Sequence, residues 1–169
     1  MSQASNHIIW CINKAKKELK ETQKHRGIIK TEPDIERAKK HLEKAEHNFN
    51  AILYFQDGGY SDWSASAAFY TLYHCFLAIL AKYGYESRNQ ECTISMIQYL
   101  KEQKKIILED KFIEALQYAD SSQDTIIELR ENFQYGVKRE IHEDTIKGLL
   151  DISKELIHLT KDEMYRENQ

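Results

Sequence analysis

More than any other feature, an uncharged stretch at residues 63–81 limits how this chain can fold. A glycine pair is positioned to end the helix before it, and Ser61 or Asp62 to cap the helix that follows. At helical spacing, one face of this second helix carries Ala65, Ala68, Phe69, Leu72, Phe76, Ile79, Leu80 and Tyr83. The remaining faces are also largely apolar. Because a helix that is apolar nearly all round must be enclosed by other helices, we predict a central helix inside a helical bundle.

The length of this stretch also raises the alternative of a membrane span, which needs about 20 apolar residues. Strongly polar amphipathic helices flank it, and six polar or half-polar side chains interrupt it: Ser64, Ser66, Tyr70, Thr71, Tyr73 and His74. These features favour a core helix over a span, so we expect no membrane contact. The first residues lack a basic region followed by an apolar run, and we therefore expect no signal peptide.

Length and composition favour one helical domain. The chain has 169 residues, of which 30% are charged, with one proline and six glycines. This composition supports long helices and gives little support to a sheet, and the length is enough for one hydrophobic core. The formal net charge of −3 provides no overall basic field for binding nucleic acid, although a small local basic patch would suffice.

Three widely spaced cysteines, Cys11, Cys75 and Cys92, occur without a Cys-x-x-Cys motif. Their odd number and the position of Cys75 inside the apolar helix predict buried free thiols rather than a disulfide framework. Free thiols are typical of a reducing compartment, and we predict a cytoplasmic protein. We expect no bound cofactor.

Further amphipathic segments flank the central helix on both sides. Residues 5–25 carry a narrow apolar stripe, and a stronger stripe then continues to the glycine pair. After a polar loop and a short helix, residues 109–135 predict one long helix with a bend at Ser121 and Ser122, because serines compete for helical hydrogen bonds. Residues 142–164 predict the last helix. Short connections favour antiparallel neighbours, so we predict an all-α, up-and-down antiparallel bundle of about five to six helices.

The central stretch also resembles a known family. A helix ends in Gly-Gly-Tyr, Ala-Ala-Phe-Tyr-x-x-Tyr-His follows at residues 67–74, and then come leucine- and alanine-rich turns and a glycine. This order is similar to the core of a HEPN domain, of the type associated with minimal nucleotidyltransferases. Residues 38–45 resemble the family's first amphipathic helix, and Leu-Arg-Glu-Asn-Phe-Gln-Tyr at residues 129–135 lies where the family keeps its arginine motif. The resemblance implies a HEPN-type bundle at residues 31–169 with an N-terminal helical extension at residues 1–30.

In active HEPN domains, an arginine and a histidine separated by four to six residues form a metal-independent ribonuclease site across a dimer. The histidine takes the 2′-hydroxyl proton, and the arginine stabilises charge that develops on the phosphate. Arg130 matches the arginine here, but Tyr135 stands at the four-residue spacing, and Gly136 and Val137 follow it. Tyrosine, with an ordinary pKa of about 10, is a poor base at neutral pH. We therefore expect no ribonuclease activity. His74 could replace the base if it faced Arg130, but a hydrogen-bonded core histidine is the favoured role.

Arg130 also lies on or beside the inward stripe of its helix, where an unpaired charge would be costly. Two roles stay open for it: an ion pair that braces the bundle or a dimer seam, and a phosphate or nucleotide contact. Arg88 and Asn89, in the loop after the central helix, form a second candidate pair, although such residues more often cap the next helix. We predict that this loop and the end of the 109–135 helix, with Arg130 and Tyr135, form one groove. There the guanidinium groups of Arg88 and Arg130 would converge on a phosphate.

Metal binding has little support in the sequence. Glu155 and His158 form one Glu-x-x-His motif, whereas a di-iron bundle needs two such motifs and further carboxylates. We predict no metal site.

The resemblance implies a non-catalytic accessory or binding module, acting with a minimal nucleotidyltransferase in a toxin–antitoxin or nucleic-acid defence system. Two alternatives stay open. One is a divergent ribonuclease that uses Arg130 with Tyr135, His74 or a residue of a second subunit, and the other is a structural dimerisation domain. We also expect a homodimer, because one bundle leaves aromatic surface to cover, and the expected ligand class is nucleotide or RNA.

Overall fold

Seven helices and two short strands make up the computed structural model, which describes residues 2–119 and 123–166. In chain order they are α1 (Gln3–Thr22), β1 (Ile28–Lys30), α2 (Ile35–Asp57), α3 (Asp62–Lys82), β2 (Tyr85–Ser87), α4 (Gln90–Glu102), α5 (Asp110–Glu114), α6 (Ile126–Tyr135) and α7 (Glu143–Tyr165). The prediction of an all-α helical bundle is confirmed.

Helix α3 is the centre of the bundle, as its uncharged sequence predicts. Helices α2, α4, α6 and α7 all pack against it, and Leu72, Phe76 and Leu80 are completely buried. Burying each such side chain contributes about 1.5–3 kcal/mol, so this helix supplies much of the folding free energy. By length and composition alone α3 could cross a membrane, with a mean hydropathy of 1.4, but 72% of that stretch is buried inside the bundle.

The start of α3 differs from the capping that the sequence predicts. Ser61 is the N-cap residue by position, but its side chain makes no capping hydrogen bond. Its Oγ instead accepts a hydrogen bond of 2.9 Å from the backbone N–H of Ile141. The serine therefore ties the segment before α7 to the start of the central helix.

A small antiparallel sheet joins the two connections at one end of α3. Ile28 pairs with Ser87 and Lys30 with Tyr85, where the sequence predicts only a connector and a polar loop. Gly84 allows this close approach, because its φ is +78° and an added Cβ would lie 2.6 Å from the carbonyl oxygen of Thr31. Two strands of three residues each do not change the fold class.

The prediction of one helix over residues 109–135 is wrong. Helix α5 ends at Glu114 and α6 begins at Ile126. The new start comes from a capping box, in which the carboxylate of Glu128 accepts a 2.7 Å hydrogen bond from the backbone N–H of Thr125. Ser121 and Ser122, the predicted bend, lie outside the described residues.

The prediction of three free thiols is wrong for two of them. Cys11 of α1 and Cys92 of α4 form a disulfide, with their Cα atoms 5.9 Å apart. A sequence separation of 81 residues hides this pairing, which arises only because α1 packs on α4. Cys75 is free and buried, as predicted. Since disulfides are typical of oxidising compartments, the cysteines give no support to the predicted cytoplasmic location, which stays a prediction.

Candidate functional site

Helix α6 holds Arg130 against the aromatic face of the central helix. The guanidinium carbon lies 4.1 Å from the centre of the Phe69 ring, an arrangement that favours a cation. The side chain is 15% exposed, and its buried Nε has no hydrogen-bond partner among the described atoms. Among the described residues, the nearest carboxylate oxygen, on Glu131, is 3.7 Å from Nη2, which is too long for a hydrogen bond. Arg130 therefore keeps unused hydrogen-bonding capacity.

The carboxylate of Glu131 is bound to a tyrosine instead. Tyr118 donates its hydroxyl to Glu131 Oε1 over 2.5 Å, and this hydrogen bond raises the pKa of Tyr118. The same oxygen of Glu131 therefore accepts this hydrogen bond and forms the longer ion pair with Arg130.

Tyr135, which takes the place of the family histidine, is the last residue of α6 and is 78% exposed. It lies five positions after Arg130 along the helix, a rise of about 7.5 Å. Its hydroxyl thus faces solvent in this monomer, and α6 contains no imidazole.

His74 is paired with a histidine of α2. Its Nδ1 lies 3.1 Å from the Nδ1 of His41 on α2, and it is five residues further along α3 than the Phe69 ring that Arg130 contacts. Burial, and then the charges of His41 and Lys44, lower the pKa of His74 to about 4. A base whose conjugate acid has so low a pKa has little driving force for taking a hydroxyl proton. The core role predicted for His74 fits this arrangement.

Asn89 lies at the mouth of a cavity between α1, α4 and α6. The cavity has a volume of about 730 Å³ and is lined by His7, Asn89, Gln90, Glu91, Ile94, Ser95, Leu116, Gln117, Tyr118, Ile127 and Glu131. Asn89 itself is the N-cap of α4, where its Oδ1 accepts a 2.9 Å hydrogen bond from the N–H of Cys92. Two carboxylates in this lining disfavour a phosphate.

Arg88 faces a different set of partners. Its Nε donates to Glu86 Oε1 over 2.8 Å, and Glu86 also contacts Arg37 and His25. Burial raises the pKa of Glu86, but the hydrogen bond and charge of Arg88, followed by those of His25, outweigh it and leave the pKa below its ordinary value. Arg88 lines a second cavity beside α1, with Trp10 and His25 among its walls. Phosphate binding by Arg88, Asn89, Arg130 and Tyr135 stays a prediction.

An aromatic and basic surface, which the sequence did not indicate, lies where α6 ends beside the start of α3. A cavity of about 190 Å³ is lined there by Asp62, Trp63, Ser66, Phe133, Gln134, Gly136, Val137, Lys138 and Arg139. Trp63 is 52% exposed. We call this surface the α3–α6 seam. The sequence shows that Lys138 and Arg139 follow the end of the helix at Gly136. It does not show that they lie near Trp63, which is 75 positions before Lys138.

A family model supplies the decisive comparison. The HEPN domain model matches residues 35–164, which run from the start of α2 almost to the end of α7. The chain belongs to the HEPN family. No curated protein matches it significantly. Helix α1 and strand β1 precede the matched residues, so the disulfide joins the HEPN domain to a helix outside the family match.

Proposed function

We propose that this HEPN domain is a binding module without ribonuclease activity, acting with a minimal nucleotidyltransferase in a toxin–antitoxin or nucleic-acid defence system. The observation that carries the proposal is on α6. Its arginine is in place against Phe69, but an exposed tyrosine occupies the position of the histidine, and His74 is paired with His41.

The chemistry of RNA cleavage supports this interpretation. Transfer of the 2′-hydroxyl proton needs a base whose pKa lies near the working pH. Tyr135 is exposed, and the hydroxyl of a tyrosine is a poor general base at neutral pH, whereas burial lowers the pKa of His74 to about 4. An arginine alone could stabilise the phosphate charge but could not remove the proton.

Purified protein incubated with single-stranded RNA tests the absence of catalysis. We expect no cleavage above that of an Arg130→Ala variant, which controls for contaminating ribonuclease. The Tyr135→His variant restores an imidazole at the family spacing, but we expect Glu131 and the local geometry to keep it inactive. Robust turnover by the natural sequence that is lost in Arg130→Ala would overturn the proposal.

The proposed partnership with a minimal nucleotidyltransferase is tested separately. A minimal nucleotidyltransferase encoded beside this gene should co-purify with the chain after co-expression and elute with it in size-exclusion chromatography. Absence of a complex at micromolar concentrations of both proteins would contradict the partnership and leave the cleavage result unaffected.

A second candidate function, binding of single-stranded nucleic acid, is favoured by the α3–α6 seam. The seam places the half-exposed indole of Trp63 beside the side chains of Lys138 and Arg139. An aromatic face that stacks on a base, next to cations that contact phosphates, is the combination by which proteins bind single strands. Because the overall charge is −3, binding of nucleic acid depends on a local basic patch such as this one.

Tryptophan fluorescence can report on this seam directly, because the chain has two tryptophans, Trp10 and Trp63. In a Trp10→Phe background, we expect oligonucleotide to quench the remaining emission and salt to weaken binding. The Lys138→Ala/Arg139→Ala variant should lose at least tenfold in affinity. A matched pair of exposed lysines on α7, Lys147→Ala/Lys154→Ala, removes the same charge elsewhere. Equal losses in the two double variants would mean that charge alone matters and that the seam is not the site.

A further inference from the structure

Three metal-ligand atoms converge where α1 packs on α4. A ring nitrogen of His7 and the sulfur atoms of Cys11 and Cys92 all lie within 4.8 Å of one another. His7 and Cys11 are four residues apart and therefore share one face of α1, while Cys92 lies in the first turn of α4. Both cysteines are completely buried, and His7 is half-buried. The disulfide is the oxidised form of this cluster.

Reduction of the disulfide would leave a ligand set suited to a borderline-soft cation. Two thiolates and an imidazole are ligands that Zn²⁺ prefers, with three protein ligands and one open position as a known arrangement. Two sulfurs on a tetrahedral zinc lie about 3.7 Å apart, given zinc–sulfur bonds of about 2.3 Å. The two cysteines therefore need to separate by less than about 2 Å from their bonded positions.

The surroundings of the cluster also suit a metal. His7 Nδ1 is 2.7 Å from the hydroxyl of Ser95, and a hydrogen bond at one ring nitrogen is the usual way in which a metal-binding imidazole is oriented. Cys92 lies where the N-terminus of a helix favours a negative charge such as a thiolate. His7 also lines the 730 Å³ cavity, from which water can supply the fourth ligand.

We propose that the reduced chain binds one Zn²⁺ through His7, Cys11 and Cys92, and that oxidation of the two cysteines to the disulfide releases it. The oxidant is a small-molecule disulfide, which reaches the buried cysteines when α1 moves away from α4. One cysteine thiolate attacks it and forms a mixed disulfide, with release of one small thiolate. The second cysteine thiolate then attacks the protein sulfur of that mixed disulfide, releases the second small thiolate and closes the Cys11–Cys92 bond. Two electrons pass from the cysteines to the oxidant, and zinc leaves as Zn²⁺.

The two states have one structural consequence in common. Either the metal or the disulfide ties α1 to α4, so the helix outside the family match stays docked under reducing and oxidising conditions alike. In the reduced, metal-free protein, α1 is held by packing and hydrogen bonds such as that between His7 and Ser95, without a covalent or metal link to α4.

Cobalt binding to the full-length reduced protein tests the site. We expect one Co²⁺ per chain, with the thiolate-to-cobalt charge-transfer absorption and strong visible bands of a tetrahedral site, and displacement of the cobalt by Zn²⁺. Cys11→Ser and Cys92→Ser should abolish the charge-transfer band, and His7→Ala should weaken zinc binding at least tenfold against a chromophoric chelator. Thermal unfolding followed by circular dichroism verifies that each variant is folded.

Two control variants test whether cobalt binding is specific to the proposed ligands. Cys75→Ala removes the third cysteine, which is buried in α3, and His47→Ala removes an exposed histidine on α2; both should bind cobalt normally. Adding oxidised glutathione to the zinc-loaded protein should release one zinc per disulfide formed. The proposal is overturned if the folded, reduced protein binds no cobalt, if Cys75→Ala or His47→Ala abolishes binding, or if His7→Ala binds zinc as tightly as wild type. Disulfide formation without zinc release would refute the exchange.

Discussion

The paired histidines of α2 and α3 should make the protein lose stability at mildly acidic pH. His41 and His74 share a hydrogen bond between their Nδ1 atoms, 3.1 Å apart. Such a bond needs one protonated and one unprotonated nitrogen, so charging both rings removes the acceptor and adds repulsion. Burial first, and then neighbouring positive charges, lower the pKa of both residues, that of His74 to about 4.

The sign and size of the effect follow from these pKa values. The ordinary histidine pKa of 6.5 applies to the unfolded chain, so between about pH 6.5 and pH 4 the unfolded state binds more protons than the folded state. The free energy of unfolding therefore falls as the pH drops through this window. A shift from 6.5 to about 4 corresponds to at most about 3.4 kcal/mol. Because His74 is only half-buried, solvent screening reduces this to about 1.5 kcal/mol.

Nearby charges modify the titration of this pair. Arg37 and Lys44 of α2 oppose protonation, whereas the carboxylate of Glu86 on β2 favours it at His41. Since carboxyl groups elsewhere also titrate near pH 4.5, the loss must be measured as a difference between wild type and a His74→Asn variant.

Urea unfolding followed by circular dichroism at about pH 7 and about pH 4.5 gives that difference. We expect wild type to lose about 1.5 kcal/mol more than His74→Asn between the two conditions. His47→Asn, which changes an exposed histidine on the same helix as His41, should behave as wild type. Equal losses in wild type and His74→Asn, within about 0.5 kcal/mol, would refute the assignment of the shift to this pair.

Three further outcomes are expected from the structure. Lys82→Met should lower the free energy of unfolding by about 3–5 kcal/mol in chemical denaturation, because Nζ of this buried lysine donates to the Glu163 carboxylate and to the backbone carbonyls of Glu163 and Arg166. A loss under about 1 kcal/mol would contradict that role. Gly84→Ala should lower the free energy of unfolding by about 2 kcal/mol or more, since the φ of Gly84 is +78° and the new Cβ would meet the carbonyl oxygen of Thr31. Gly148→Ala in α7, where the new Cβ would meet open space, should leave the free energy of unfolding unchanged or raise it. Light scattering should give a dimer of twice the 20.0 kDa chain mass, and monomer alone at micromolar concentration would count against self-association.

Several features of this protein were determined by its sequence alone. The uncharged stretch at residues 63–81 predicts a buried central helix, and α3 is that helix. Apolar spacing likewise predicts α2 and α7, and the sequence itself shows that no histidine stands at the family spacing after Arg130. These properties depend on the order of residues within a few helical turns, which is the same in any packing of the helices.

Other features were decided only by the tertiary structure. The Cys11–Cys92 bond joins residues 81 positions apart, His74 pairs with His41 rather than facing Arg130, and Trp63 and Lys138 line one cavity at the α3–α6 seam. The split between α5 and α6 follows from the capping box at Thr125, a local pattern that apolar spacing outweighed in the prediction. Each of the long-range pairs depends on which helix faces which neighbour and in what register. The spacing of apolar residues indicates that a helix has a buried face, but only the packed bundle determines which side chains that face meets.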